Sequence, residues 1–193
     1  MKGNKKNLVH ITSDINFGGA GRYLLGICKY INRDRFDLTI VMPIGSVIKK
    51  YIEHYPDIDI IEIYGVETKS LHLKGISELL SLIRELRPDI VHTHACLSGR
   101  IAARLAGVPK IIYTRHSLIK TDSNIIRRFK MIFNMILQSK AIAVSKAVYN
   151  NLIQSGEIKE NIRLIYNGVE VLKTSYDINE LRKLKECVSE EDA

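Results

Sequence analysis

No stretch of this sequence approaches the roughly 18 consecutive apolar residues that a membrane-crossing helix needs, so a spanning protein is not expected. The basic start, Met1 to Asn7, is followed only by Leu8-Val9-His10-Ile11, too short for the apolar core of a secretion signal. Cysteine is scarce. Cys28, Cys96 and Cys187 lie far apart with no C-x-x-C pair, which argues against a zinc knuckle or a disulfide framework and for a reduced, cytoplasmic chain. There is no RNP-like aromatic run and no zinc-finger spacing, and nucleic acid ranks last among the anionic partners. Acidic residues are in deficit: 21 Asp+Glu face 29 Lys+Arg, a formal charge of +8 that favours phosphates and anionic lipid. Repeats and low-complexity linkers are missing too. What is there is ordinary globular composition, 46% hydrophobic and 26% charged over 193 residues, enough for one sizeable core and a short tail.

The apolar residues fall into short runs separated by helical patterns. Leu8-Val9-His10-Ile11-Thr12-Ser13 reads as a strand, Asn16-Phe17-Gly18-Gly19-Ala20-Gly21-Arg22 as a glycine turn, and Tyr23, Leu24, Ile27, Tyr30 and Ile31 follow at helical spacing. Phe36–Met42 is a second strand stopped by Pro43, Val47–His54 a short helix, and Ile58–Tyr64 a third strand. Leu73, Ile76, Leu79, Leu80, Ile83 and Leu86 mark a longer helix. Pro88–Ser117 is a strand–helix–strand unit whose helix stops at Gly107 with Pro109 beyond it. A right-handed crossover makes its two strands parallel. Ala141–Val144 and Ile162–Tyr166 are further strands; Ile125–Gln138, Lys146–Gln154 and Asp177–Val188 are further helices, the last capped by Asp177. This alternation predicts an α/β fold with a doubly wound, mostly parallel, Rossmann-like sheet of seven strands.

Gly18-Gly19-Ala20-Gly21 sits between a strand and a helix, where glycine lets the backbone approach a phosphate and the helix N-terminus offers free N–H groups. Arg22 adds a fixed charge. The spacing is neither G-x-G-x-x-G nor a P-loop, and the alternative is a tight turn with no ligand. His92 and His94, two apart on a strand, share a face. His-x-His pairs bind metals, but no carboxylate or cysteine nearby completes a set and His116 would have to be the third ligand, so no metal is expected. His94, nearer the strand end, is the better substrate ligand, and His92 the structural one. His116, between Arg115 and Ser117, stands where it can donate to a sugar hydroxyl or to an oxygen gaining charge, or is a solvated loop residue. His10, His54 and His72 show no pattern, and His10 reads as a lone strand histidine facing a helix. Ile125–Gln138 carries Ile125, Phe129, Ile132, Phe133, Ile136 and Leu137 on one face and Arg127, Lys130 and Asn134 opposite, with Lys120, Arg128 and Lys140 nearby. Such a helix packs its apolar face on the sheet, the commoner use, or lies on an anionic membrane through Arg127, Arg128 and Lys130.

Four segments in order carry a resemblance: Gly18-Gly19-Ala20-Gly21-Arg22, Asp89-Ile90-Val91-His92-Thr93-His94, Lys110-Ile111-Ile112-Tyr113-Thr114-Arg115-His116-Ser117 and Ile165-Tyr166-Asn167-Gly168-Val169-Glu170. Val144-Ser145-Lys146 adds a serine turn that opens a helix. Over roughly residues 7–172 the chain resembles the N-terminal domain of retaining GT-B glycosyltransferases of family GT4. The resemblance implies one of two Rossmann-like domains around a cleft, the N-terminal one holding the acceptor and the C-terminal one the nucleotide sugar. It implies that the glycine turn, with Arg22, approaches the donor diphosphate, that His116 lies near the transferring sugar with His94, Arg115 and Ser145 close by, and that Asn167 and Gly168 lead to the interdomain hinge. Many family members carry an acid where this chain has Gly21. The family's donor half bears two glutamates with seven residues between them, and this sequence has no such pair.

The expectation is therefore residues 1–172 as an acceptor domain and 173–193 as the start of a link to a donor-binding half. The intact enzyme would transfer a sugar from a nucleotide diphosphate donor, its co-substrate, with retention and without cofactor or metal, to a glycan or lipid-linked acceptor. It would be cytoplasmic, peripheral on the inner membrane face, and this half alone would be inactive. The rival is a freestanding, non-catalytic binding module or a subunit that pairs with a separate donor-binding subunit. An NAD-type oxidoreductase needs an acidic residue closing the second strand, where this chain has Met42-Pro43.

Overall fold

Strands buried on both faces read as near-continuous apolar runs, and Leu8, Val9 and Ile11, or Leu38, Ile40, Val41 and Met42, are such runs, each residue 8% exposed or less. In the computed structural model, which describes residues 5–66, 73–94, 96–119 and 123–168, they pair edge to edge. The elements are β1 (Lys6–Thr12), α1 (Gly19–Tyr30), β2 (Phe36–Pro43), α2 (Lys49–Ile52), β3 (Ile58–Ile63), α3 (Leu73–Leu86), β4 (Ile90–His94), α4 (Leu97–Leu105), β5 (Lys110–Arg115), α5 (Asn124–Leu137), β6 (Lys140–Ala143), α6 (Lys146–Gln154) and β7 (Ile162–Leu164). Among the described residues the seven strands form one parallel sheet in the order β3-β2-β1-β4-β5-β6-β7. The doubly wound, Rossmann-like reading of the sequence holds. α2 is shorter than the expected helix and β7 stops at Leu164, two residues before the expected end. The expected helix at Asp177–Val188, the link from residue 173 and Glu170 lie outside the described residues.

Helices cover both faces. Leu24, Cys28, Ile48 and Ile52 pack on Leu8, Leu38, Ile40 and Met42 on one side. Leu79, Ile83, Ala102 and Ala103 pack on Val9, Ile11, Val41, Val91 and Ile111 on the other. Cys28 and Cys96 are free and buried, and the Sγ of Cys96 accepts from Gly99 N at 3.3 Å, capping α4. A third cluster, Tyr113, Ala141, Ala143, Val148, Leu152 and Ile162, closes the β5–β7 end.

The turn after α6 determines how α5 is held. Gly156 has φ +92, and a Cβ there would stand 2.5 Å from Arg127 O and 3.3 Å from Met131 N. Only a bare Cα lets the backbone of α5 come this close. Gly156→Ala combines left-handed strain with a backbone clash, and we expect it to cost about 2–4 kcal/mol, read as a lowered denaturation midpoint. An unchanged midpoint would show that α5 is free to move away.

Candidate functional site

β1 and β4 are sheet neighbours, but the chain leaves them toward opposite faces, through α1 and α4. That reversal opens a crevice beyond the strands' carboxyl ends, where open α/β sheets hold ligands. The glycine turn lies at its rim. Gly18 is the N-cap of α1 in an extended conformation, with no side-chain cap. Nothing lies within 4 Å of a Cβ built on Gly18 or Gly19, so the space over both is open. The helical ladder starts with Arg22 N on Gly18 O at 3.0 Å, so the N–H groups of Gly19, Ala20 and Gly21 precede it. Arg22 is exposed. Ala20 and Gly21 both turn inward. A Cβ on Gly21 would meet Phe17 Cδ2 at 3.0 Å and Ile48 Cγ1 at 3.4 Å. The Phe17 ring, stacked on Tyr51 at 4.0 Å, fills the space beside that position. Only their backbone N–H groups remain for an anion.

Parallel register brings the histidines together. His10 pairs with His92 across β1–β4, and Thr12 with His94. His94 pairs with Thr114 across β4–β5. Side chains two apart share a face, so residues 10, 12, 92, 94, 114 and 116 all point toward α1. Tyr23 of α1 covers them, its ring centroid 5.5 Å from that of His94 and 5.3 Å from that of His116. His10 Nδ1 is 2.9 Å from His94 Nε2, with the two rings stacked at 11°. His94 Nδ1 is 3.3 Å from His116 Nε2. His92 Nε2 is 2.7 Å from Thr114 Oγ1.

His94 is 0% exposed and His92 6%, so both rings are buried and neither opens directly on the crevice. His116 alone of the set is half-buried. His10, read as a lone strand residue, faces α1 as expected but belongs to this cluster. Its signal was a histidine near the end of each of two strands; the sequence does not say that those strands are neighbours. Burial lowers all four rings in pKa, His10 to about 3 and His116 to about 4, with His92 and His94 well below the ordinary value, His92 further depressed by His10 and His116, and His94 by His92, His10 and His116. All four are therefore neutral at pH 7.

The ligand nitrogens of His10, His92 and His94 lie within 4.8 Å of one another, and it is His10, not His116, that completes the trio. Metal–nitrogen bonds of about 2.0–2.1 Å in a tetrahedron hold two nitrogens roughly 3.3 Å apart; the His10–His94 pair is closer and makes a hydrogen bond. No carboxylate joins the trio among the described residues. A doubly charged ion there would stand uncompensated in a dry interior.

Arg115 alternates to the opposite sheet face from His116, with Tyr113. It is half-buried, and its Nε has no partner among the described residues. Ser145 Oγ accepts from Val148 N at 3.2 Å and is engaged in capping α6. Asn167 and Gly168 lie exposed beyond β7. The loop after His116 is pinned by Asn151, which accepts from Ile119 N at 2.8 Å and donates to Ile119 O at 2.9 Å.

α5 is inverted relative to its expected packing. Its polar side faces the protein: Asn134 Oδ1 accepts from Arg100 at 3.0 Å, and Arg127 and Met131 lie over Gly156. Its apolar stripe faces out, with Ile125 and Phe129 each 69% exposed, Ile132 52% and Ile136 59%; among the helix residues only Leu137 is buried. The cause is Arg100 of α4, 8% exposed and stacked 3.9 Å over the Tyr113 ring, whose guanidinium also donates to Ser139 Oγ at 2.6 Å. A buried cation needs acceptors, and α5 with the turn after it provides them. Beneath, Tyr113 hydrogen-bonds the buried Glu157, whose carboxyl is raised in pKa by burial. Arg128 is exposed at the edge of the apolar stripe, whereas Arg127, though exposed, lies on the opposite side of the helix, over Gly156. No helix among the described residues is long and apolar enough to cross a membrane.

The family model of Glycosyltransferase Family 4 matches residues 17–171. An Escherichia coli UDP-Gal:alpha-D-GlcNAc-diphosphoundecaprenol alpha-1,3-galactosyltransferase is 26% identical over 191 residues, covering 91% of this chain and 48% of that protein. A Shewanella oneidensis UDP-N-acetylglucosamine–N-acetylmuramyl-(pentapeptide) pyrophosphoryl-undecaprenol N-acetylglucosamine transferase is 26% identical over 163 residues, 72% of this chain and 44% of that protein. Among solved structures, a Rickettsia africae glycosyltransferase superposes with TM-score 0.73 at 21% identity, covering 96% of this chain and 50% of that one. Anabaena HepE in complex with UDP gives 0.68 at 21%, covering 93% and 50%. The chain spans about half the length of the curated relatives it matches.

Proposed function

Because the chain belongs to Glycosyltransferase Family 4, we propose that it is the acceptor-binding half of an enzyme that moves a sugar, with retention and without a metal, from a nucleotide diphosphate donor to a lipid-linked or glycan acceptor. The observation that carries the reading is what the strand-order reversal brings to one carboxyl edge of the sheet. The uncovered backbone of Gly18 and Gly19, with the Gly19 N–H ahead of the helical ladder, and the half-buried His116 stand at that edge. Gly18, Gly19 and Arg22 stabilise the charge that develops on a departing diphosphate held across the cleft, because preorganised donors cost no reorganisation when the bond breaks. His116 positions the transferring sugar. His94 supports His116 from behind, and Ser145 fixes the helix that pins the neighbouring loop. Relatives named for undecaprenyl diphosphate-linked acceptors support a lipid-linked substrate, and the outward apolar stripe of α5, edged by Arg128, rests on the anionic cytoplasmic leaflet that holds it. Catalysis needs a donor-binding half, and this half alone is inactive.

Titration of the chain with a short-chain polyprenyl diphosphate-linked sugar and, separately, with UDP tests the acceptor role. The expected result is saturable binding of the lipid-linked sugar, at least tenfold tighter than UDP. Tighter UDP binding with no acceptor binding would overturn the assignment.

A further inference from the structure

The rings of His10, His94 and His116 stand in single file from the sheet interior to the crevice. Two ring-to-ring contacts join them, His10 Nδ1 to His94 Nε2 at 2.9 Å and His94 Nδ1 to His116 Nε2 at 3.3 Å. A neutral imidazole has one N–H and one bare nitrogen. Each contact therefore needs one of each, and the choice at one ring dictates the next. Only two arrangements satisfy both contacts. With every proton pointing outward, all three rings carry it on Nδ1, and His116 shows the crevice an N–H. With every proton pointing inward, all three carry it on Nε2, and His116 shows a bare nitrogen. Any mixed arrangement sets N–H against N–H, or lone pair against lone pair, where His10 and His94 are 1% and 0% exposed and an unmet polar group carries its full desolvation penalty.

We propose that these three histidines form a coupled tautomer relay, in which His10 and His94 are positioning residues that decide whether His116 presents a donor or an acceptor to the crevice. Converting the outward arrangement into the inward one moves one proton across each contact toward the crevice, and the rings end neutral because His116 Nδ1 also gives its proton to the crevice while His10 Nε2 takes one up. His10 is 1% exposed, so that uptake waits for a local opening that admits water, and with the fold closed the file holds one arrangement. A ligand oxygen that accepts from His116 Nδ1 selects the outward arrangement in all three rings together. Thr114, which engages His92 Nε2 at 2.7 Å, keeps the fourth histidine out of the file. The consequence for transfer rests on the reading of His116 as the ring beside the sugar, but the relay itself does not.

The test is nitrogen–proton NMR of the chain with isotope-labelled histidine at neutral pH, which reads each ring's tautomer directly and needs no transfer reaction. The expected result is the same tautomer in His10, His94 and His116, with nitrogen–nitrogen coupling across both hydrogen bonds. His10→Phe should make His116, which is itself unaltered, populate both tautomers. His10→Asn, whose amide can meet His94 Nε2, should restore one. Unlike tautomers in the wild-type rings, or absence of both couplings, would overturn the relay even if His10→Phe does not fold. So would a His116 spectrum unchanged by His10→Phe. Failure to bind acceptor, with the couplings present, would count against the proposed function alone.

Discussion

Lowering the pH from 7 to 5 is expected to remove most of this chain's stability. His10, His92 and His94 stay neutral in the fold because burial depresses their pKa values, His10 to about 3. Unfolded, each takes up a proton near its ordinary value of about 6.5. A group whose folded pKa is lowered contributes stability that is complete above the unfolded value and is lost as pH falls toward the folded one. Below pH 6.5 each ring therefore subtracts about 1.4 kcal/mol per pH unit. Three such rings give about 4 kcal/mol per unit, and a drop of one and a half units approaches the roughly 5–15 kcal/mol that holds a typical domain together. His116, with its pKa lowered to about 4, acts in the same direction from its half-buried position. Glu157 opposes it: its raised carboxyl contributes stability at low pH that is lost as pH rises, but it is one group against several. Denaturant midpoints measured from pH 7.5 to 5 should fall steeply, and His10→Phe should make the fall shallower by about a third. A flat profile would mean that the rings reach solvent.

Truncating the outward stripe of α5 should abolish vesicle binding and leave the fold intact. Phe129→Ser, Ile132→Ser and Ile136→Ser together remove three side chains that are 69%, 52% and 59% exposed. They have little packing to lose, and the midpoint should move by less than about 1 kcal/mol. On a bilayer the same side chains bury apolar area, and at about 1 kcal/mol each their loss weakens partitioning by about a hundredfold. Binding should require anionic lipid and fade with salt, because Arg128 at the edge of the stripe contributes through screened charge. Vesicle co-sedimentation of the triple variant decides the matter. Undiminished binding would place the membrane contact elsewhere, and a collapsed midpoint would mean that the stripe packs against protein.

Some of this was legible one residue at a time. The strand–turn–helix around Gly18 and Gly19, the stop at Gly107 and Pro109, the seven apolar runs and the place of His116 at the end of β5 follow from local pattern, because burial on both faces of a parallel sheet writes itself into short segments. The resemblance of four ordered segments was legible as well. The direction of α5 was not. Its pattern fits packing on the sheet or facing out, and the choice came from Arg100, 34 residues from Asn134 in sequence. Nor was the histidine file, because His10 and His94 lie 84 residues apart and meet only through strand order and register. The sequence by itself determined which segments are strands and helices. Only the tertiary structure decided which polar groups share the interior. Hydrophobic period is a local property, whereas satisfying a buried cation or a buried imidazole depends on whatever partner the packed fold brings within 3 Å or so.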